Sequence, residues 1–342
     1  MLQLSRAFAI TAIFVFVVVP LAAQEAVKSA SNDRIQVRVN EVIVPVTVTD
    51  EKGRFVSDLE AKDFHIFDDN QEQKIEFFSR DRNQPVVVGF LMDMSNNTRL
   101  HWKTFQDATL ELVWNLLPGT PKFSGYLISY SNDAELLVNT TTDAEKLVSK
   151  IRKMKPGGGA AFYDAIYMAC TRRELVQGEP YEPRRVLIVI GDGHDNASKK
   201  SLDEVIEIAQ RNLVTIYAMS TVAFGFESEG DKNLVRLTEA TGGRVEYPLE
   251  KLYTDVSGYL STPSDEGNYA YKVGTGGYAS EIAKGIFRCV AGIAGEVTTQ
   301  YILRYSPDIG SGNPKQFRSI RVAVDLQNVK VRYRKGYYPF AP

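Results

Sequence analysis

The sequence predicts an α/β fold, a doubly wound and mostly parallel sheet set into a small antiparallel β-sandwich. Three observations predict it. Residues 86–92 and 186–190 are unbroken apolar runs of strand length, as in strands buried on both faces of a parallel sheet. Around them strand patterns alternate with helical ones, which implies right-handed crossovers. At both ends of the chain the pattern is instead period-two and free of helix, as an antiparallel unit requires.

Residues 1–23 have the layout of a signal peptide. Arg6 gives a positive start, 7–19 is a solid apolar block, and Pro20 is followed by Leu-Ala-Ala. That block is shorter than the ~20 residues a spanning helix needs. No later stretch is long and apolar enough to cross a bilayer, so a secreted or periplasmic protein is expected.

The first β segment falls within 33–82. Val37 and Val39, then Val42, Val44, Val46 and Val48, alternate along it. Glu51-Lys52-Gly53 reads as a turn. Residues 64–67 and 74–78 read as second and third strands. The α/β unit spans 84–298. Its first helix covers about 98–117, with Trp102, Phe105, Ala108, Leu112 and Leu116 at helical spacing. Residues 123–130 and 135–139 form a hairpin pair. Thr142 with Glu145 reads as a capping box for a helix running to Met154. A Gly157-Gly158-Gly159 loop precedes a helix over 162–175. Ser201 with Glu204 opens another capped helix, 213–220 is a strand, and a helix over 232–241 ends at Gly242-Gly243. A short strand over 244–247 follows. Residues 254–278, rich in Gly, Tyr, Ser and Thr, read as a long loop insertion before a helix over 280–296. Strand patterns at 300–305, 319–326 and 330–334 then place a second β segment in 299–340, expected to pair with the first.

Composition narrows the function classes. A formal net charge of -2 gives no electrostatic reason to expect nucleic acid. The three histidines, His65, His101 and His194, do not cluster, which argues against a histidine-rich zinc or haem site. Cys170 and Cys289 both lie in apolar helical surroundings and read as two buried thiols, although one bridge is arithmetically possible.

Both apolar strands end in an aspartate, Asp93 and Asp192, where open α/β sheets bind their ligands. Asp93, Ser95 and Asn97 are alternate residues whose side chains all offer oxygen. Such a set suits a hard cation such as Mg²⁺, and clustered carboxylates otherwise repel. The residues alone leave a second reading open, in which Asp93 and Asp192 only cap the helices that follow. Ser95 as a hydrolase nucleophile lacks the Gly-x-Ser-x-Gly setting. His194 reads as a polar loop residue, and the glycine loop lacks the Gly-Lys-Ser/Thr ending of a P-loop.

Three segments then resemble a von Willebrand factor type A domain. They are Asp93-Met94-Ser95-Asn96-Asn97, the run Gly158-Gly159-Ala160-Ala161-Phe162-Tyr163-Asp164-Ala165, and Ile190-Gly191-Asp192-Gly193. Their order and spacing are similar to its metal-ion-dependent adhesion site. The flanks, Val46-Thr47-Val48-Thr49-Asp50 with Gly53, and Gln300-Tyr301-Ile302-Leu303-Arg304-Tyr305 with Arg334-Lys335-Gly336-Tyr337-Tyr338, resemble a bacterial exported family built around that domain. The resemblance implies a non-catalytic protein-binding or adhesion module; the alternative is a metal-independent structural scaffold in envelope assembly. Asp93, Ser95, Asn97 and Asp192 would be its metal ligands, for Mg²⁺, Mn²⁺ or Ca²⁺. A protein partner would bind through an acidic side chain. It also implies a weakened site, because Asn97 stands where the family has Ser and Ala160 where it has a ligating Thr.

Overall fold

The structure, a computed structural model, describes residues 41–80, 85–175, 183–222, 228–249, 266–307 and 316–339. The expected signal peptide over 1–23, and Val37 and Val39, lie outside these residues. The chain opens with β1 (Val42–Asp50), β2 (Phe64–Asp68), β3 (Gln71–Gln73) and β4 (Phe77–Ser79). The strand expected over 74–78 is thus broken. The chain there crosses between two sheets, β3 pairing with β2 and β4 with a later strand.

The α/β part follows. It runs through β5 (Val86–Asp93), α1 (Trp102–Leu116), β6 (Phe123–Tyr130), β7 (Ala134–Thr141), α2 (Ala144–Ile151) and α3 (Phe162–Thr171). It continues with β8 (Arg184–Gly191), α4 (Leu202–Arg211), β9 (Val214–Ser220), α5 (Glu229–Thr241), β10 (Val245–Glu246) and α6 (Glu266–Thr299). Its sheet has the order β10-β9-β8-β5-β6-β7, parallel except for the β6–β7 hairpin. Every residue of β5 is buried. Val86, Val88, Phe90 and Met92 pack under Leu112 and Leu116 of α1, Leu147 of α2 and Ile293 of α6. Val87 and Leu91 face the other way, against Phe162 of α3, Val205 of α4 and Leu237 of α5. Helices on both faces are why this strand carries no polar alternation.

Two local readings change. The cap of α2 is Asp143, whose carboxylate accepts from the Glu145 backbone N–H at 3.0 Å, while Thr141 Oγ1 accepts from the Asp143 N–H. Thr142 is displaced because aspartate caps as well as threonine and sits one residue nearer the helix. Residues 266–278, expected as loop, are helical backbone continuous with the helix expected from 280; residues 254–265 lie outside the described set. No proline interrupts Glu266–Thr299, and adding turns to a formed helix costs far less than nucleating one, which offsets the poor propensity of its glycines. The Ser201–Glu204 capping box forms as expected.

The closing strands are β11 (Tyr301–Tyr305), β12 (Arg318–Val324), β13 (Val329–Arg332) and β14 (Gly336–Tyr337). They do pair with the opening ones, antiparallel throughout, in two sheets of order β13-β1-β11-β4 and β14-β12-β2-β3. Val44, Val46, Ile66, Tyr301, Leu303 and Ile320 form their shared apolar core. Cys170 lies in the core on one face of the six-stranded sheet and Cys289 in the core on the other, and both are free. Burial pushes each thiol up to about 12, so neither is a reactive thiolate. Among the described residues no helix is long and apolar enough to cross a membrane.

A buried polar knot joins α6 to the β segments. Glu296 is fully buried and accepts from Thr47 Oγ1 at 3.0 Å, from Tyr217 OH at 3.3 Å, and from Arg332 Nη1 at 2.6 and 2.8 Å. Arg244 Nε stands 2.9 Å from the same carboxylate as an ion pair, without hydrogen-bond alignment. Gln300 Nε2 donates to Thr47 Oγ1 and Tyr217 OH, and Arg184 donates to Gln300 Oε1. Removing the carboxylate would strip Arg332 of the counter-charge it pairs with here and leave Arg244 with Glu246 alone. We expect Glu296→Ala to lower unfolding free energy by roughly 3–5 kcal/mol in denaturant titrations. A change below about 0.5 kcal/mol would show that the knot does not hold these elements together.

Candidate functional site

The site begins with strand order. From β5 the chain passes to β6 on one side and, after β7, returns to β8 on the other, so the winding reverses at β5. A crevice opens at the carboxyl ends of the strands flanking such a switch point. Asp93 ends β5 opposite Tyr130 of β6, and Asp192 follows Gly191 at the end of β8. Sequence reasoning expected these two ends to converge, and they do. Asn97 Nδ2 donates to Asp192 Oδ2 at 3.0 Å, and the Asp192 charge raises the Asp93 carboxyl.

Backbone hydrogen bonds stitch the loops at this edge. Met94 N–H donates to the Tyr130 carbonyl at 2.8 Å, Gly157 N–H to Met94 at 2.6 Å, and Asn96 N–H to Gly158 at 3.1 Å. Gly158 has φ +110, a conformation that a residue with a Cβ rarely adopts. Gly191 serves by close approach: a Cβ there would fall on the Tyr130 hydroxyl and 2.9 Å from Asp93 Cβ.

Asp93 is 1% exposed. Its Oδ1 accepts from the Ser95 N–H at 2.7 Å, while Oδ2 is buried with no hydrogen-bond partner. Burial above all, then the Asp192 charge, pushes its carboxyl up to about 7. Ser95 Oγ and Tyr130 OH are likewise buried without partners. Three orphaned oxygens at one strand end are unusual, since buried polar atoms are nearly always paired.

Those orphans decide whether a cation fits. Asp93 Oδ2 and Ser95 Oγ are buried hard oxygen donors that lack a well-aligned hydrogen-bond partner, and Asp192 adds a second carboxylate. Among the described residues no group of three or more His, Cys, Asp or Glu that could hold a metal ion is present; the donors gathered here are two carboxylates and a hydroxyl, oxygen ligands that suit a hard cation. Asn97 is exposed and now turns its NH₂ toward Asp192; reversing the amide would present Oδ1 instead. Ala160 is 1% exposed and offers no side-chain donor. Thr98 does not replace it: its hydroxyl donates to the Ser95 and Asp93 carbonyls at 3.0 and 3.3 Å. The residues fit a cation, with one protein ligand fewer than the adhesion-site pattern implies.

His194 is exposed, and only its backbone N–H reaches Asp192 Oδ1, at 2.9 Å, consistent with a polar loop residue. Sequence reasoning missed two asparagines. Asn132 Oδ1 accepts from Gly159 N–H at 2.7 Å, and Asn196 Oδ1 accepts from Ala160 N–H at 2.8 Å. Both lie just beyond strand ends at this edge, the position that singled out Asp93. Asp195 supports the next turn, accepting from Tyr163 N–H at 3.0 Å and from the Ser198 hydroxyl.

An open, mostly parallel sheet with Asp93 and Asp192 brought together at its carboxyl edge defines a doubly wound α/β domain. Residues 88–254 match the family model of the von Willebrand factor type A domain, and the chain carries that domain. Solved structures with a similar fold include proximal thread matrix protein 1 from the mussel byssus with a zinc-occupied MIDAS motif. It is 16% identical, with 50% of this chain and 43% of that one covered and a TM-score of 0.41. A von Willebrand factor type A protein from Catenulispora acidiphila is 13% identical over 67% and 52% of the two chains, with a TM-score of 0.40. BatB from Bacteroides thetaiotaomicron is 15% identical over 58% and 99%, with a TM-score of 0.37. This chain thus spans less than half of the mussel protein, and likeness at these levels concerns the fold alone. No curated protein matches the sequence.

The raised Asp93 carboxyl has a consequence for stability. Below its ordinary value of 3.8 the group is protonated in both the folded and unfolded states. Between 3.8 and about 7 the folded state holds a proton that the unfolded state has lost. Stability therefore falls as pH rises through that window. Chemical denaturation of the chelated protein should show this fall, and Asp93→Asn should flatten it. An unchanged profile in the variant would assign the dependence to other groups.

Proposed function

We propose that this protein is an exported, non-catalytic binding module. It recognises a protein partner through the edge of its von Willebrand type A domain formed by Asp93, Ser95, Asn97 and Asp192. The observation that carries the reading is the pair of buried, unpartnered oxygens, Asp93 Oδ2 and Ser95 Oγ, at the switch point of the sheet. Asp93, Ser95 and Asp192 would hold a divalent cation, with Mg²⁺ the best match to their chemistry. When bound, such an ion supplies a positive centre to which an acidic side chain of the partner can coordinate.

The chain's own residues prepare that centre. The Ser95 backbone fixes Asp93 Oδ1, which leaves Oδ2 free to point at the ion. Asn132 and Asn196 clamp the Gly159-Ala160 backbone, so the loop that normally brings a threonine hydroxyl is in place but brings a methyl group. Export is supported by the signal-peptide layout of residues 1–23. The two β segments, 33–82 and 299–340, would form a separate sandwich domain into which 84–298 is inserted. A hydrolytic role for Ser95 is disfavoured, because it lacks the Gly-x-Ser-x-Gly setting of a hydrolase nucleophile.

Calorimetric titration with Mg²⁺ and Mn²⁺ tests the metal half of the reading. The natural protein should bind weakly, Ala160→Thr should gain tenfold or more in affinity, and Asp93→Ala should lose the signal. Silence in all three would remove the metal from the account. Affinity capture from extracts of the source cell tests the surface itself. A partner retained by the natural protein and lost with Asp192→Ala supports recognition at this edge. One retained equally by both places binding elsewhere.

A further inference from the structure

At the opposite edge of the six-stranded sheet, where β8 and β9 begin, a small cavity of about 30 Å³ opens beneath the β segments. Arg184, Arg185 and Arg334 line it, with Asn212, Thr215 and Gln300. The volume suits one or two particles the size of a water molecule. Among the described residues no Asp or Glu lines it, and no carboxylate forms an ion pair with any of the three arginines.

Arg334 is the informative member. It is 1% exposed and among the largest fully buried side chains of the chain. Its Nε and Nη2 have no hydrogen-bond partner. Burial pushes its guanidinium down to about 10, and Arg184 likewise. Both remain cationic at neutral pH. Arg184 spends its Nη atoms on the neutral Gln300 side chain and the Val297 carbonyl, leaving Nε bare. Arg185 spends its own on Asn212 and the Ala169 and Cys170 carbonyls. Three like charges therefore line one small space, and no Asp or Glu stands among its described lining residues. Burying a cation without compensation is among the costlier arrangements a fold can adopt.

We propose that this cavity is a site for one small inorganic monovalent anion of the halide class, chloride being the natural occupant, held by Arg334 with Arg184 and Arg185. The Asn212 side chain and the Thr215 hydroxyl add neutral contacts around it, while the Gln300 amide is committed to Thr47, Tyr217 and Arg184. Polyatomic organic anions are excluded by size. Because β1 and the segment after β13 form one wall and β8 and β9 the other, the ion would fasten the β segments to the base of the sheet. This site shares no residue with the Asp93 edge.

Thermal unfolding of the natural protein in sodium chloride, against sodium gluconate at matched ionic strength, tests the assignment. An ion that binds only the folded state raises the melting temperature with concentration. The melting temperature should climb and level off in chloride and stay flat in gluconate, and Arg334→Met should remove the difference. Crystals of the natural protein grown in sodium bromide should show an anomalous peak between Arg334 and Arg184, a readout that stands even if the variant fails to fold. Equal melting in the two salts, or a cavity that holds only water or a protein carboxylate under bromide, overturns the proposal.

Discussion

Glu296 carries its charge in a position closed to solvent, and the donors gathered around it make that position tolerable. They come from four places in the chain: Thr47 on β1, Tyr217 on β9, Arg332 on β13 and Arg244 just before β10. A buried carboxylate binds its environment to one geometry, because any displacement strands either the charge or its donors. Apolar contacts between α6 and its neighbours could slide. The hydrogen-bonded knot cannot slide without breaking, and so it sets the register of the last helix against both the sheet and the β segments.

A similar tension, left open, defines the carboxyl edge. Asp93 is dry, close to a second carboxylate, and short of partners for one oxygen. At the knot the protein supplies its own cations. At this edge no ion pair to Asp93 or Asp192 forms among the described residues, and the loops are fixed by backbone bonds that leave side-chain oxygens unused. The contrast is between a carboxylate matched by charged partners and one that is not. The replacement of a hydroxyl by the methyl of Ala160 leaves that arrangement of loops unaltered, since the backbone of residue 160 is still held by Asn196.

Much of this was legible in the residues. β5 could be read because both its faces are covered by helices, so it has no polar alternation to confuse it. The pairing of the chain's two ends followed from β-branched alternation at 42–48 and the matching run at 301–305, which do lie antiparallel. Asp93 and Asp192 were found because strand ends at a switch point are where ligands bind. Asn132 and Asn196 were missed because asparagine after a strand is also ordinary turn chemistry, and their bonds reach residues 27 and 36 positions away. The amino half of α6 escaped because glycine and tyrosine carry no helical periodicity of their own; the helix is extended from its better-patterned carboxyl half. The break between β3 and β4 was hidden because a strand that changes sheets keeps its β composition.

One junction has a mechanical meaning. α6 ends at Thr299 and β11 begins at Tyr301, with Gln300 alone between them. That residue is itself pinned by hydrogen bonds to Thr47 and Tyr217. There is no slack chain to absorb a tug at this point. Tension arriving through the closing strands would pass directly from β11 into the long helix, which is packed against the six-stranded sheet, with no loop between them to stretch first.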